Sequence, residues 1–159
     1  MQKLKKAILF LEDGLFFNGK SLGSNGETFG EVCFNTGMTG YQEILTDPSY
    51  SNQMIVMSSP HIGNYGTNNN DTESEKVYAT GFIIKSESLQ PSNWRSEESL
   101  SSFLKKHSIV GIQDIDTRAL TIHIRKNGAM RGIISTEEFE LDSLASKIES
   151  IPKMEGQDL

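Results

Sequence analysis

Apolar and polar positions alternate with two different periods along this chain. The first half carries short apolar runs separated by turn residues. Ala7 to Leu11 reads as a strand, Asp13-Gly14 as a tight turn, and Leu15-Phe16-Phe17 as the return strand of a hairpin. Asn18-Gly19 predicts a further turn, and the Gly- and Ser-rich segment 21–30 predicts a loop. Strands are expected at Glu31 to Asn35, Gln53 to Met57 and Val77 to Lys85, with a loop from Ser58 to Gly66 and an exposed polar segment from Thr67 to Lys76. The second half shifts toward the helical period. Ser96 is a good N-cap, with Glu97 and Glu98 in the first turn, where negative charge suits the helix dipole. Leu100, Phe103 and Leu104 form one apolar stripe, and Lys105, Lys106 and His107 close that helix. Ile109 to Ile112 is a short buried strand. Asp116 caps a helix whose Ala119, Leu120 and Ile124 face the core, and Arg125-Lys126-Asn127-Gly128 is its C-terminal signal. Met130 to Ser135 is another strand, and Leu141 to Ile151 an amphipathic helix stopped by Pro152. β-rich first and alternating β and α later, the order predicts an α/β domain with a mixed β-sheet and packed helices, without internal repeats and without a linker before Pro152.

The stretch Asn35 to Tyr50 is the most structured by its local chemistry. A strand ends at Val32-Cys33-Phe34, Gly37 and Gly40 give the backbone room to turn, and Thr39 with Gln42 fits a capping box. A short helix from Gly40 to Leu45 follows. Pro48 disfavours helical dihedrals at Asp47, so the helix ends there and Ser49 and Tyr50 are displayed past the turn. Such a segment serves either as a capped strand-to-helix connection or as a shelf for a small polar ligand or partner.

Composition narrows the class. The chain has 159 residues, long enough for one domain with its own core. Its hydrophobic content of 36% and charged content of 23% fit a globular protein, and its net charge of −6 argues against nonspecific nucleic-acid binding. No apolar run approaches the roughly 18 residues of a membrane span. Basic residues precede the apolar run at Ala7, as in a signal peptide, but the run stops at Glu12 with no small-residue cleavage site, so a first strand is expected. Cys33 is the single cysteine, which excludes a disulfide framework and a thiolate metal site. A cytoplasmic protein, with no membrane and no nucleic acid as partner, is the expectation.

Candidate chemistry is sparse. None of the three histidines, His61, His107 and His123, has a ligand-spaced partner, so no metal site is expected. His61, in a Gly-rich loop, is either structural or, with Ser49, the makings of a small hydrolase. Ser49 lacks the Gly-x-Ser-x-Gly elbow, which makes it a better ligand donor than nucleophile. Cys33, inside an apolar strand, is expected to be a core residue. The glycines fit no phosphate-binding loop. Between Thr117 and Thr136 there is no acid, while Arg118, Arg125, Lys126 and Arg131 are present. That run is either a docking patch for an acidic surface or dipole-matched cations on a solvated face. No complete catalytic constellation emerges.

Several long motifs nevertheless resemble, in order, the N-terminal part of the small (glutaminase) subunit of carbamoyl phosphate synthetase. They are Leu11-Glu12-Asp13-Gly14, the whole of Asn35 to Tyr50, Pro60-His61-Ile62-Gly63-Asn64-Tyr65-Gly66, Val110 to Leu120 around Asp114-Ile115-Asp116-Thr117-Arg118, and Glu155-Gly156-Gln157-Asp158-Leu159. The resemblance implies the swivelling β/β/α domain, spanning residues 1–152, with 153–159 beginning the linker to an amidotransferase domain absent from this chain. In that following domain a Cys nucleophile with His and Glu hydrolyses glutamine. Ammonia then passes to a large subunit that makes carbamoyl phosphate from bicarbonate and ATP. The resemblance also implies that the Ser of Asp-Pro-Ser-Tyr, here Ser49, helps bind glutamine across the domain boundary, and that this domain docks the large subunit. On this basis the chain has no catalytic residue, cofactor or metal of its own, ATP and Mg belonging to the large subunit. The product feeds arginine or pyrimidine synthesis. The alternative from another class is a stand-alone binding module that reuses the fold.

Overall fold

The computed structural model describes residues 4–35, 41–57, 76–85 and 100–151. Seven strands close into a barrel: β1 (Lys6–Leu11), β2 (Phe16–Gly23), β3 (Glu27–Asn35), β4 (Gln53–Met57), β5 (Gly81–Ile83), β6 (Val110–Gln113) and β7 (Met130–Ser135). Around the barrel the order is β1-β2-β6-β5-β4-β3-β7. The strands β3, β4, β5 and β6 run parallel, and the remaining pairs are antiparallel, so the sheet is mixed. Four α-helices accompany the strands among the described residues: α1 (Tyr41–Leu45), α2 (Leu100–Lys106), α3 (Thr117–Asn127) and α4 (Leu141–Glu149).

Strand alternation sorts the apolar residues into an interior and two outer clusters. In β1, Ala7, Leu9 and Leu11 point into the barrel, where they meet Val32, Val56 and Ile112. Ile8 and Phe10 point outward, beneath Leu144 and Ile148 of α4. Both faces of β1 are therefore covered, which is why its sequence is a continuous apolar run rather than an alternating one. On another side, Leu22, Ile55 and Phe82 pack under Leu100, Phe103 and Leu104 of α2, the stripe expected from the helical period. The start of that helix as predicted, Ser96 with Glu97 and Glu98, lies outside the described residues. Helix α3 lays Leu120 and Ile124 against the interior cluster. Its Asp116 cap accepts the Ala119 N–H at 3.0 Å, and Gly128 ends it at φ +90°. Lys147 of α4 donates to both carboxylate oxygens of Glu27 at 3.0 and 2.8 Å, and Ser135 donates to the same carboxylate at 2.8 Å. That bond to Glu27 holds the Lys147 ammonium above its ordinary pKa.

Five expectations are corrected. Asn18-Gly19 does not turn the chain: β2 runs straight through it, with Asn18 opposite Ile8 and Gly19 opposite Ala7. A Cβ on Gly19 would lie 2.4 Å from the Gln113 carbonyl oxygen and 2.7 Å from a methyl of Ile115, so glycine serves close approach here rather than a turn. Segment 21–30 is not one loop: Ser21 to Gly23 end β2, and β3 already begins at Glu27. Gly23 combines φ +77° with a would-be Cβ 2.6 Å from Leu104, so the strand bends there while α2 packs directly on it. Ala119 is exposed, and the buried stripe of α3 is made instead by Thr117, Leu120, Thr121 and Ile124. The strand expected over Val77 to Lys85 is paired only at Gly81–Ile83. Before it, the amides of Tyr78 and Ala79 both donate to the Leu45 carbonyl. The last helix ends at Glu149, short of Ile151.

Candidate functional site

The connection from β3 to β4 carries the displayed serine. Asp47 has extended dihedrals, φ −80° and ψ 119°, as its place before proline requires. Pro48 then opens a one-turn 3-10 helix, Pro48–Tyr50, which suits proline because the first helical N–H would have no partner anyway. The Asp47 carboxylate accepts the Ser49 N–H at 3.0 Å, and the Asp47 carbonyl accepts the Tyr50 N–H at 3.0 Å. Ser51 closes the turn, its amide and hydroxyl both donating to the Pro48 carbonyl. Asn52, at φ +64°, hands the chain into β4, and its carbonyl accepts the Glu31 N–H.

Ser49 is exposed, and among the described residues its hydroxyl has no hydrogen-bond partner. Tyr50 is half-buried against the cluster that contains Leu45 and Cys33. Its hydroxyl accepts from Asn35 Nδ2 at 2.9 Å, tying the turn to the end of β3. Helix α1 covers Tyr41–Leu45, as expected, and buries Ile44 and Leu45. The rest of the predicted capping box, Gly37, Thr39, Gly40 and the side chain of Gln42, lies outside the described residues, as do His61 and the loop 58–66.

The other candidates resolve as structure. Cys33 is half-buried on the outer face of β3, between inward-facing Val32 and Phe34. Its thiol donates to Gln53 Oε1 at 3.3 Å. Burial, helped by the nearby Glu31 carboxylate, pushes its pKa from 9.0 up to about 11, the opposite of an activated nucleophile. His107 packs against Phe103 with ring centroids 4.6 Å apart and planes tilted by 53°. His123 Nε2 lies 2.6 Å from an Asp13 carboxylate oxygen.

The acid-free run from Thr117 to Thr136 is not acid-free in space. The hairpin between β1 and β2 brings Glu12 and Asp13 against it. Glu12 Oε1 accepts from the Arg131 backbone N–H at 2.6 Å and from its Nε at 3.3 Å. Arg131 Nη1 also donates to the Ile151 carbonyl. Arg125 lies 5.0 Å over the Phe34 ring, while Arg118 and Lys126 are exposed. Sequence spacing offered no signal for these long-range partners, nor for the Asn35–Tyr50 bond. Asp47 was legible as a turn residue, but its carboxylate as the holder of Ser49 was not. Among the described residues no group of three His, Cys, Asp or Glu side chains is placed to hold a metal ion, and no helix is long and apolar enough to cross a membrane.

Residues 9–134 match the family described as carbamoyl-phosphate synthase small chain, CPSase domain. The chain is 58% identical over 154 residues to the carbamoyl phosphate synthase small chain of Maridesulfovibrio salexigens, covering 97% of this chain and 41% of that protein. It is 54% identical over 155 residues to the small chain of Thermotoga maritima, covering 98% and 40%. For the small chain of Aquifex aeolicus the identity is 52% over 155 residues, covering 98% and 42%. The chain thus spans about two fifths of the length of the curated relatives it matches. By the match over most of its length, the chain belongs to the carbamoyl-phosphate synthase small chain family.

Proposed function

We propose that this chain is the N-terminal domain, residues 1–152, of the small subunit of a glutamine-hydrolysing carbamoyl phosphate synthetase, with 153–159 starting a linker to an amidotransferase domain. The family match over residues 9–134, together with identities above 50% across nearly the whole chain, carries the proposal. The barrel and its helices act as the swivelling domain of that subunit and dock the large synthetase subunit in a cytoplasmic heterodimer. The chemistry of glutamine hydrolysis belongs to a Cys-His-Glu set in the amidotransferase domain. ATP and Mg act on the large subunit, where ammonia and bicarbonate become carbamoyl phosphate for arginine or pyrimidine synthesis. This domain contributes Ser49. An exposed hydroxyl with a hydrogen-bonded backbone suits donation to a carboxylate or carbonyl of glutamine, at little ordering cost to the protein.

The test has two parts. Mixed with a large synthetase chain, the 159-residue chain is expected to co-sediment as a stoichiometric complex, while releasing glutamate from glutamine no faster than buffer. Hydrolysis at the rate of an intact small chain would overturn the non-catalytic role, and failure to associate would overturn the docking role.

A further inference from the structure

We infer that Tyr50, held by Asn35, is the positioning residue that fixes the turn displaying the Ser49 hydroxyl, and so sets the affinity for glutamine. This rests on the proposed glutamine role of Ser49. A one-turn 3-10 helix is too short to hold its own geometry, because its internal bonds are few and poorly aligned. This one is fastened from both sides of Ser49. On one side the Asp47 carboxylate accepts the Ser49 N–H at 3.0 Å. On the other the Tyr50 ring packs against the outer cluster that includes Leu45, and its hydroxyl meets Asn35 Nδ2 at 2.9 Å. Cys33 and Asn35 share the outer face of β3 by strand alternation, so the Tyr50 hydroxyl is tied to a paired strand rather than to a loop. Asn35 itself sits opposite Met57 in the parallel β3–β4 ladder, which gives the clamp a rigid base. The Ser49 side chain is thereby the free element of a fixed turn, an arrangement that preorganises a donor before the ligand arrives.

Tyr50→Phe removes only the hydroxyl and keeps the half-buried ring, so the fold survives it. In a small chain of full family length carrying this domain, assembled with its synthetase partner, Tyr50→Phe is expected to raise the glutamine KM by roughly 3- to 10-fold, the range of one lost net hydrogen bond. Synthesis driven by ammonia in place of glutamine stays unchanged, which a general loss of structure would not allow. Asn35→Asp, whose carboxylate accepts the Tyr50 hydroxyl proton, restores the contact with donor and acceptor reversed and keeps the KM near that of the parent, unlike Asn35→Ala. A glutamine KM unmoved by Tyr50→Phe but raised by Ser49→Ala overturns the positioning role and leaves the role of Ser49 intact. A KM unmoved by Ser49→Ala overturns the glutamine role itself. The clamp is then judged on the 159-residue chain, by amide order measured with NMR relaxation. Tyr50→Phe is expected to loosen the Ser49 amide and leave β4 unchanged, and equal order at Ser49 in both proteins overturns the clamp.

Discussion

At the residue scale, the chemistry of each side chain depends on which face of its strand it occupies. Cys33 and its neighbours Val32 and Phe34 belong to one strand, yet only the neighbours enter the barrel. The thiol instead lies under a helical layer, close to Glu31, and its pKa stands near 11. Because the folded value lies above the unfolded one of 9.0, the stabilising difference is fully present below pH 9 and is lost as pH rises through 11. Cys33→Ala is therefore expected to flatten the fall in melting temperature between pH 9 and pH 11. Thermal melts across that window test it, and parallel falls in both proteins would show that the thiol is no part of the alkaline loss. The same burial predicts slow alkylation of Cys33 at pH 8 by iodoacetamide, with a rate that increases on unfolding.

At the scale of elements, Gly19 misled where the caps of α3 did not. Asp116 and Gly128 were readable as the two ends of α3, because caps depend on neighbours within a turn. Likewise Asp47-Pro48 announced the end of α1 and the exposure of Ser49 from local dihedral preferences alone. Gly19 and the glycines of 21–30 looked like turn residues, but the backbone at Gly19 is extended and its missing Cβ makes room for the Gln113 carbonyl. That space comes from β6, more than 90 residues away in sequence, so no local pattern could carry it. Gly19→Ala is expected to destabilise the domain by about 1–3 kcal/mol, the usual cost of overpacking. A urea midpoint that fails to move would show that β2 and β6 can separate to admit a methyl group.

Across the whole molecule, barrel closure makes the interior a shared structure. Leu9 is fully buried among residues drawn from several strands and from α3. Leu9→Ala is expected to cost about 2–5 kcal/mol, through lost transfer energy and the cavity left behind. Equilibrium urea unfolding followed by both circular dichroism and the accessibility of the Cys33 thiol is expected to give one coincident transition, shifted to lower urea in the variant. Two separated transitions would mean that the strands do not unfold as one unit. Closure also brings the β1–β2 hairpin against α3 and β7, so Glu12 and Asp13 offset cations that look unopposed along the chain. Arg118 and Lys126 stay exposed, whereas Arg131 is held by Glu12.

The sequence by itself determined most of the strands and helices, the mixed α/β class, the two caps of α3, the exposure of Ser49 and the family resemblance that the comparisons bear out. Each of these rests on residues near one another in the chain, or on long motifs kept in order. Tertiary structure alone decided barrel closure, the continuous β2, the outward face of Cys33, the acids opposite the basic run and the bond from Asn35 to Tyr50. Those features depend on strand register between distant segments, and a register is fixed by packing both faces of a sheet at once, which period and composition along one strand do not specify.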